Sequence, residues 1–398
     1  MSIPPLFRCP ISLDLFTDPV TLCTGQTYDR PSIEKWLADG NVTCPVTMQR
    51  LHDLSMVPNH TLRHLIDQWL LMDSQFDLEH IKTIDPDLSL AALKSKLQSQ
   101  QTTILTRIQT LRKIRTLSEE SESRRVCLIQ LGFFPILLQL LFGNHRVESN
   151  LSLQDSEFAE EALNCLLNLA PCRKLGCLNM LKETSCLSSF CILLEQGSMK
   201  IKTSLCYLVE LISSTNETKD LCLILGQTGA ILHGLVSLLH QNSDQCASDA
   251  ATKAISGLCS LKMNCDNVIR EGGIDGLVTY LSDPNPRCVS GALATLELLL
   301  ELESGKRAMI SNPGSVHVLV KLVFRVSDHE GSESAVSSLL AICYNSLQIR
   351  EEAINAGVIR QLLLLLQSQC SGRAKTQARL LLKLLRSMWA EDPSTCNL

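Results

Sequence analysis

The sequence predicts a mainly α protein: a small α+β unit at the N-terminus followed by an α-solenoid. Three observations predict this. The text from Ile3 to about Met72 is turn-rich and mixed in pattern, whereas from about Leu90 to Trp389 one leucine-rich helical segment follows another. The later segments recur at a fixed interval. Finally, 398 residues, 45% of them hydrophobic and only 4% aromatic, are too many for one ordinary core.

Within the N-terminal unit, Pro19-Val20-Thr21-Leu22 reads as a short strand and Thr24-Gly25-Gln26 as the turn after it. Asp29 precedes a helix expected to run to Leu37. Its side chain is placed to accept from free first-turn amides, and Pro31 suits a turn that needs no amide there. Ile33, Trp36 and Leu37 recur at helical spacing and form an apolar face. Asn59 similarly precedes a helix from Thr61 to Leu71, with Leu62, Leu65, Ile66 and Trp69 on one stripe. Asp85-Pro86-Asp87 marks a polar connection. The expected division is a unit at 1–73, a linker at 74–89, the solenoid at 90–390 and a tail at 391–398.

Aligning GFFPILLQLL, GAILHGLVSLL, GGIDGLVTYL, GSVHVLVKLV and GVIRQLLLLL places Leu137, Leu235, Leu277, Leu319 and Leu362 in register, the last three steps being 42, 42 and 43 residues. The preceding helices set a second phase, with Leu169, Leu211, Leu258, Leu300, Cys343 and Leu385 at steps of 42, 47, 42, 43 and 42. SCLSSFCILLE is a degenerate copy, Gly143–Ser156 a Ser-rich insertion that reads as an exposed loop, and Leu93–Leu117 an incomplete first copy. About six helical repeats of this length are the signature of an armadillo or HEAT array, and the Gly-initiated short segment favours armadillo. Each repeat buries its apolar face only against its neighbours, which leaves a long groove.

A formal charge of −5 gives no general reason to expect nucleic acid or anionic membrane as partner. The cluster Arg112-Lys113-Ile114-Arg115 reads as a solvated helix face. The five leucines Leu362–Leu366 fall far short of a bilayer span, and MSIPPLFRCP does not read as a secretory signal. Eighteen scattered cysteines read as small buried apolar residues in a reducing compartment, so the expected location is cytoplasm or nucleus.

Residues Phe7–Leu37 and the segment after them keep the spacing of a zinc-binding RING finger without its ligands. The eight ligand positions hold Cys9, Ser12, Thr24, Gln26, Asp29, Ser32, Cys44 and Thr47. Zinc wants four thiolate or imidazole ligands per site, and adding Cys23 or His52 completes none. No metal and no cofactor is therefore expected. Hydrogen bonds and ion pairs among Cys9, Ser12, Thr24, Gln26, Asp29, Arg30, Glu34 and Asn59 are expected to tie the loops instead, each worth about 0.5–1.5 kcal/mol. His60 and His64 share a helix face but lack a third ligand, and they read as solvated.

CPISLDLFTDPVTLCTGQTYDRPSIEKWL, TCPVTMQRL and VPNHTLRHLIDQWL together resemble a U-box, the zinc-free relative of the RING. A U-box followed directly by armadillo repeats resembles the compact class of plant ubiquitin ligases. The resemblance implies a shallow apolar groove for a ubiquitin-conjugating enzyme, formed here by Ile11, Leu13, Trp36 and Pro45. It implies ubiquitin as a further partner, a protein substrate on the armadillo groove, no catalytic nucleophile in the chain, and leaves open self-association through the U-box. An Arg that commonly follows the second loop is replaced by Met48, with Gln49 and Arg50 next in line. A non-catalytic scaffold with a weak U-box is the alternative reading. A nuclear import receptor would need repeated Trp and Asn along the groove, where only Asn168, Asn345 and a late Trp389 occur.

Overall fold

The structure, a computed structural model, describes residues 4–66, 90–99, 101–143, 152–171, 175–241, 244–325 and 328–390. It divides into two compact units after Ser95. The linker and tail expected at 74–89 and 391–398 lie outside the described residues, as do Trp69, Leu71 and the side chain of Trp389.

In the first unit, β1 (Pro19–Thr21) is central in an antiparallel sheet ordered β2-β1-β3, with β2 at Thr27–Asp29 and β3 at Val57–Pro58. Val20 pairs with Tyr28 and with Pro58. Gly25 turns the β1–β2 connection at φ +80°, a left-handed backbone that glycine adopts without a Cβ penalty. Helix α1 (Arg30–Ala38) follows with Pro31 in its first turn, and Gly40 at φ +86° ends it, its amide bonding the Leu37 carbonyl at 3.1 Å. Helix α2 is described over residues 60–66, where the Asn59 side chain caps the Leu62 amide at 3.0 Å. Cys9, Val20, Tyr28, Ile33 and Cys44 are fully buried at the centre of this small core, and Phe16, Leu22, Leu51 and Ile66 close it.

Two expectations fail here. Asp29 occupies the cap position of α1, but its carboxylate makes no capping bond. It turns back instead to the loop before β1, where it has more donors to satisfy. Leu65 points outward, 49% exposed, so the α2 stripe narrows to Leu62 and Ile66.

Helix α3 (Leu90–Gln98) runs across the division, and α4 (Ile104–Glu120) is the first helix wholly within the second unit. Three-helix layers follow. The first comprises α5 (Glu122–Gln130), α6 (Phe133–Phe142) and α7 (Leu153–Asn168). In the second, a 3-10 helix (Gly176–Lys182) replaces the opening α-helix before α8 (Thr184–Gln196), which holds the degenerate copy SCLSSFCILLE, and α9 (Met199–Ser213). Next come α10 (Lys219–Gln227), α11 (Gly229–Leu239) and α12 (Gln245–Cys259), then α13 (Lys262–Arg270), α14 (Gly273–Ser282) and α15 (Val289–Leu299). The last two layers are α16 (Glu303–Ser311), α17 (Ser315–Leu322), α18 (His329–Asn345) and α19 (Leu347–Asn355), α20 (Val358–Gln367), α21 (Gly372–Ala390). Among the described residues no single helix is long and apolar enough to cross a membrane.

Leu137, Leu235, Leu277, Leu319 and Leu362 are all fully buried, so the first register marks the core. In the second register Leu211 is only half-buried and its neighbour Ile212 takes the inner place, a one-residue slip beside the 47-residue step. The Ser-rich insertion is also shorter than expected. A capping box between Ser152 and Asp155 starts α7 at Leu153, and residues 144–151 lie outside the described set.

The long helices α4, α7, α9, α12, α15, α18 and α21 lie side by side. Cross-layer ion pairs index them: Arg115 with Glu161 at 3.0 Å, Lys200 with Glu160 at 2.8 Å, Arg373 with Glu333 at 3.0 Å. Such exposed pairs contribute little individually, so the buried leucines stabilise the stack while the charges fix its register. Among the described residues the cysteines form no disulfide, and most are sheltered. Burial pushes Cys165, Cys206 and Cys343 up to about 12, so they stay neutral.

Asn264, fully buried on α13, donates to the Leu258 carbonyl at 2.9 Å and to Cys222, one layer earlier, at 3.3 Å. Its amide lies so close to Gly226 that a Cβ there would collide with it. Gly226→Ala is therefore expected to lower stability by about 1–3 kcal/mol in urea unfolding. Adding Asn264→Ala should return part of that loss; a purely additive double mutant would refute the collision.

Candidate functional site

Two pentapeptides of the first unit, Cys9-Pro10-Ile11-Ser12-Leu13 and Cys44-Pro45-Val46-Thr47-Met48, fold alike. In each, the fifth amide bonds the first carbonyl: Leu13 to Cys9 at 2.8 Å and Met48 to Cys44 at 2.9 Å. Each cysteine amide bonds the carbonyl beyond the loop, Asp14 or Gln49, both at 2.8 Å. Isolated bridges, Arg8 with Leu15 and Thr43 with Arg50, close the two necks. Both loops also force a non-glycine residue into left-handed backbone, Leu13 at φ +63° and Met48 at φ +59°. That conformation costs about 1–2 kcal/mol, and such strain persists where the surroundings over-determine it. The strained residues are 66% and 71% exposed, long and apolar.

Strand β2 and helix α1 hold both loops in place. The Asp29 amide donates to Cys9 Sγ at 3.3 Å. Next to it, the buried Tyr28 hydroxyl lies 3.0 Å from Cys44 Sγ and accepts from the Val46 amide at 3.2 Å. Thr24 adds a hydroxyl to Cys44 Sγ at 3.4 Å. Trp36 Nε1 donates to the Thr43 carbonyl at 2.9 Å, tying α1 to the second neck. Asp29 anchors the first from beneath: its carboxylate accepts the Thr17 and Asp18 amides, each at 2.7 Å, and the Thr17 hydroxyl at 2.8 Å. Arg30 Nε pairs with Asp18 at 2.7 Å.

Both sulfurs thus act as acceptors. Burial raises the pKa of Cys44, but hydrogen bonds from Thr24, Thr47 and Tyr28 outweigh it and bring the thiol from 9.0 to about 6. At Cys9 burial again opposes ionisation, and the amides of Asp29, Ser12 and Ile11 lower the pKa below the ordinary thiol value. Burial and the neighbouring Cys44 push the Tyr28 hydroxyl up, so it remains a donor. Among the described residues no cluster of three His, Cys, Asp or Glu is placed to hold a metal.

A profile for the U-box domain matches residues 3–75, and one for the plant U-box protein ARM repeat region matches residues 89–396. U-box domain-containing protein 26 of Arabidopsis thaliana is 37% identical over 98% of this chain and 94% of its own length. This chain belongs to the plant U-box proteins with armadillo repeats. E3 ubiquitin-protein ligase PUB23 of Arabidopsis thaliana is 29% identical over 99% of this chain and 95% of its own length. In the array's fold, the chain is also similar to an engineered protein solved by the Northeast Structural Genomics Consortium, with TM-score 0.55 and 19% identity over 74% of this chain and 68% of that one.

Within the U-box, Leu13 is exposed, Pro45 half-exposed, and Ile11 and Trp36 half-buried against the core, so the last two also serve packing. Of the expected tie residues, Cys9, Thr24, Asp29, Arg30 and Asn59 make specific bonds; Asn59 Nδ2 also donates to Thr27 Oγ1 at 3.2 Å. Ser12 is exposed and supports its own loop through the Asp14 amide at 3.4 Å. Gln26 enters through its main-chain carbonyl, which accepts from Leu22 at 3.0 Å, and Glu34 only approaches Arg30 at 3.9 Å. His60 and His64 are exposed. The residues missed from sequence are Tyr28, Val46 and Met48. The signal for Val46 and Met48 was the repeated Cys-Pro-x-Ser/Thr-x pentad, in which they hold the positions of Ile11 and Leu13; Tyr28 had no such signal.

Treatment with a strong chelator is expected to leave the U-box folded, since hydrogen bonds hold Cys9, Thr24, Asp29 and Cys44 in place. Asp29→Ala removes the acceptor of two amides and a hydroxyl, part-buried bonds worth about 0.5–1.5 kcal/mol each, and should unfold the U-box first in limited proteolysis of the full chain. Cys44 supplies a pH test. With its folded pKa depressed, its stabilisation is full above about pH 9, shrinks as the pH falls, and is gone below about 6. Thiolate absorbance near 240 nm should show a step around pH 6 that Cys44→Ser removes.

Proposed function

We propose that this chain is a ubiquitin-protein ligase that holds a ubiquitin-charged conjugating enzyme on its two U-box loops and recruits the protein substrate along its armadillo array. The observation that carries the reading is the pair of like-folded, strained loops presenting Leu13, Val46, Met48 and the half-exposed Pro45 to solvent beside Trp36. An apolar rim on a pre-set frame suits docking of a protein partner. Relatives over nearly the full chain include proteins named E3 ubiquitin-protein ligase PUB23 and PUB22, 29% and 27% identical.

In this reading the chain supplies no nucleophile. A substrate lysine amine attacks the thioester carbonyl on the conjugating enzyme, an isopeptide bond forms, and the enzyme's cysteine thiol departs. The ligase acts by holding the reactants in position and selecting a reactive pose. On the array, a cleft of about 440 Å³ lined by Arg115, Glu119, Asn164, Asn168, Ser204 and Tyr207 offers polar groups to a substrate segment.

A second reading, a scaffold whose U-box transfers ubiquitin weakly, is favoured by Met48. It stands where an arginine would bridge the two bound proteins, and Arg50, two residues on, is the nearest exposed cation. Reconstituted autoubiquitination decides between them. Pro45→Ala and Val46→Asp are expected to cut chain formation by about tenfold or more at unchanged melting temperature, with a smaller loss for Arg50→Ala. An inactive wild type across a broad panel of conjugating enzymes would establish the scaffold.

A further inference from the structure

The last layer of the array ends on an apolar stripe that every comparable inner layer buries. Leu362 of α20 is in register with Leu319, Leu277 and Leu235, so its neighbours can be matched position by position. One residue on, Val320, Val278 and Val236 are between 3% and 5% exposed, whereas Leu363 is 50% exposed. Three residues before the register position, Val316, Ile274 and Leu232 are sealed, but Ile359 is only half-buried. Four after it, Val323, Leu281 and Leu239 are covered, but Leu366 is only half-buried. Ile359, Leu363 and Leu366 fall at i, i+4 and i+7, one helical stripe. On α21, Leu380 is 44% exposed where Ser338 and Thr295 of earlier layers are buried. In the inner layers helices cover these positions: α14 packs on α11, α17 on α14, and α20 on α17.

The charge beside this stripe has one sign. Helix α21 carries five cations and no acid over residues 372–390. Arg373 turns back to Glu333. Arg379, Lys383 and Arg386 are exposed, line one face, and make no ion pair among the described residues. Arg360 adds an exposed cation from α20. Inside the array, Arg112 and Arg115 of α4 meet Glu157 and Glu161 of α7, the next long helix along. The terminal cations present the same demand, and among the described residues no further helix meets it.

We propose that this terminal face of α20 and α21 docks an amphipathic helix of a partner protein, apolar along one stripe and acidic along its flanks. The inner layers specify a helix as the occupant, and the unpaired cations specify its charge. A second copy of this chain using the same face would oppose cations to cations across a two-fold axis. The site is distinct from the U-box loops and stands apart from the transfer reading.

The test uses the full chain and a fluorescein-labelled synthetic helix of about 18 residues, with leucines at i, i+4, i+7 and i+11 flanked by glutamates. Saturable anisotropy is expected with this probe and not with its lysine-for-glutamate counterpart. Leu363→Glu and Lys383→Glu should each weaken binding by about tenfold or more; both sites are exposed, and unchanged circular dichroism and melting would confirm folding. Lys200→Glu, on α9, should leave binding unaltered, and autoubiquitination run on the same samples should not change. Equal binding of both peptides, no saturable binding, or indifference to Leu363→Glu would overturn the proposal. A concentration-dependent dimer that Leu363→Glu dissolves would overturn it too, in favour of a second copy.

Discussion

Asp29 keeps its carboxylate nearly out of reach of water and spends it on three donors from Thr17 and Asp18, while its own amide reaches Cys9. Everything that the U-box presents follows from where this residue sits. It ends strand β2, so its neighbour Tyr28 points the other way into the core and takes hold of Cys44. It also begins α1, so the helix that carries Trp36 to the second loop leaves from a fixed point. A carboxylate placed to cap the helix would have held one element; turned back, it joins strand, helix and first loop. The cost of stranding a buried donor exceeds the gain from making one more exposed bond, which decides between the two uses.

The array solves the opposite problem, since no single residue organises it. Its apolar registers are redundant, and a slip such as that at Leu211 is absorbed because Ile212 takes the inner place. Stability of such a stack grows layer by layer from intrinsic and nearest-neighbour terms. Its specificity lies in the polar staples between layers, such as buried Asn264, which bonds the Cys222 carbonyl one layer earlier and packs on Gly226. The two units thus fail differently under mutation: the U-box through a few central atoms, the array only locally.

Much of this could be read from the chain alone. The repeat interval exposed the solenoid because a layer that cannot bury its own face must repeat its pattern to bury its neighbour's. The sulfur-poor ligand frame pointed to the U-box because it keeps the RING spacing without the ligands that zinc demands. What stayed hidden depended on direction. Asp29 had the right neighbours for a cap, and only three-dimensional proximity to the Thr17 amide outbid them. Gln26 contributes a carbonyl that any residue would carry. Tyr28 reads as an ordinary strand aromatic until its hydroxyl is seen against a thiol. Leu65 obeys helical spacing, but the core of so small a unit is too narrow to cover a third residue of that turn. The kinship of the two loops was present as a repeated pentad, short enough to pass for coincidence until the backbone angles matched.

The sulfur-centred hydrogen bonds at the two loop necks set what can harm the U-box. A zinc-built domain is exposed to metal scarcity and to competing chelators, and it can be rebuilt by resupply. Here the equivalent positions depend on two buried sulfurs remaining unmodified and on the amides and hydroxyls that approach them. Any chemistry that adds bulk to Cys9 or Cys44 must first open the fold, because both are fully buried. The durability of these contacts is therefore tied to the domain's own unfolding rate, a property of the chain.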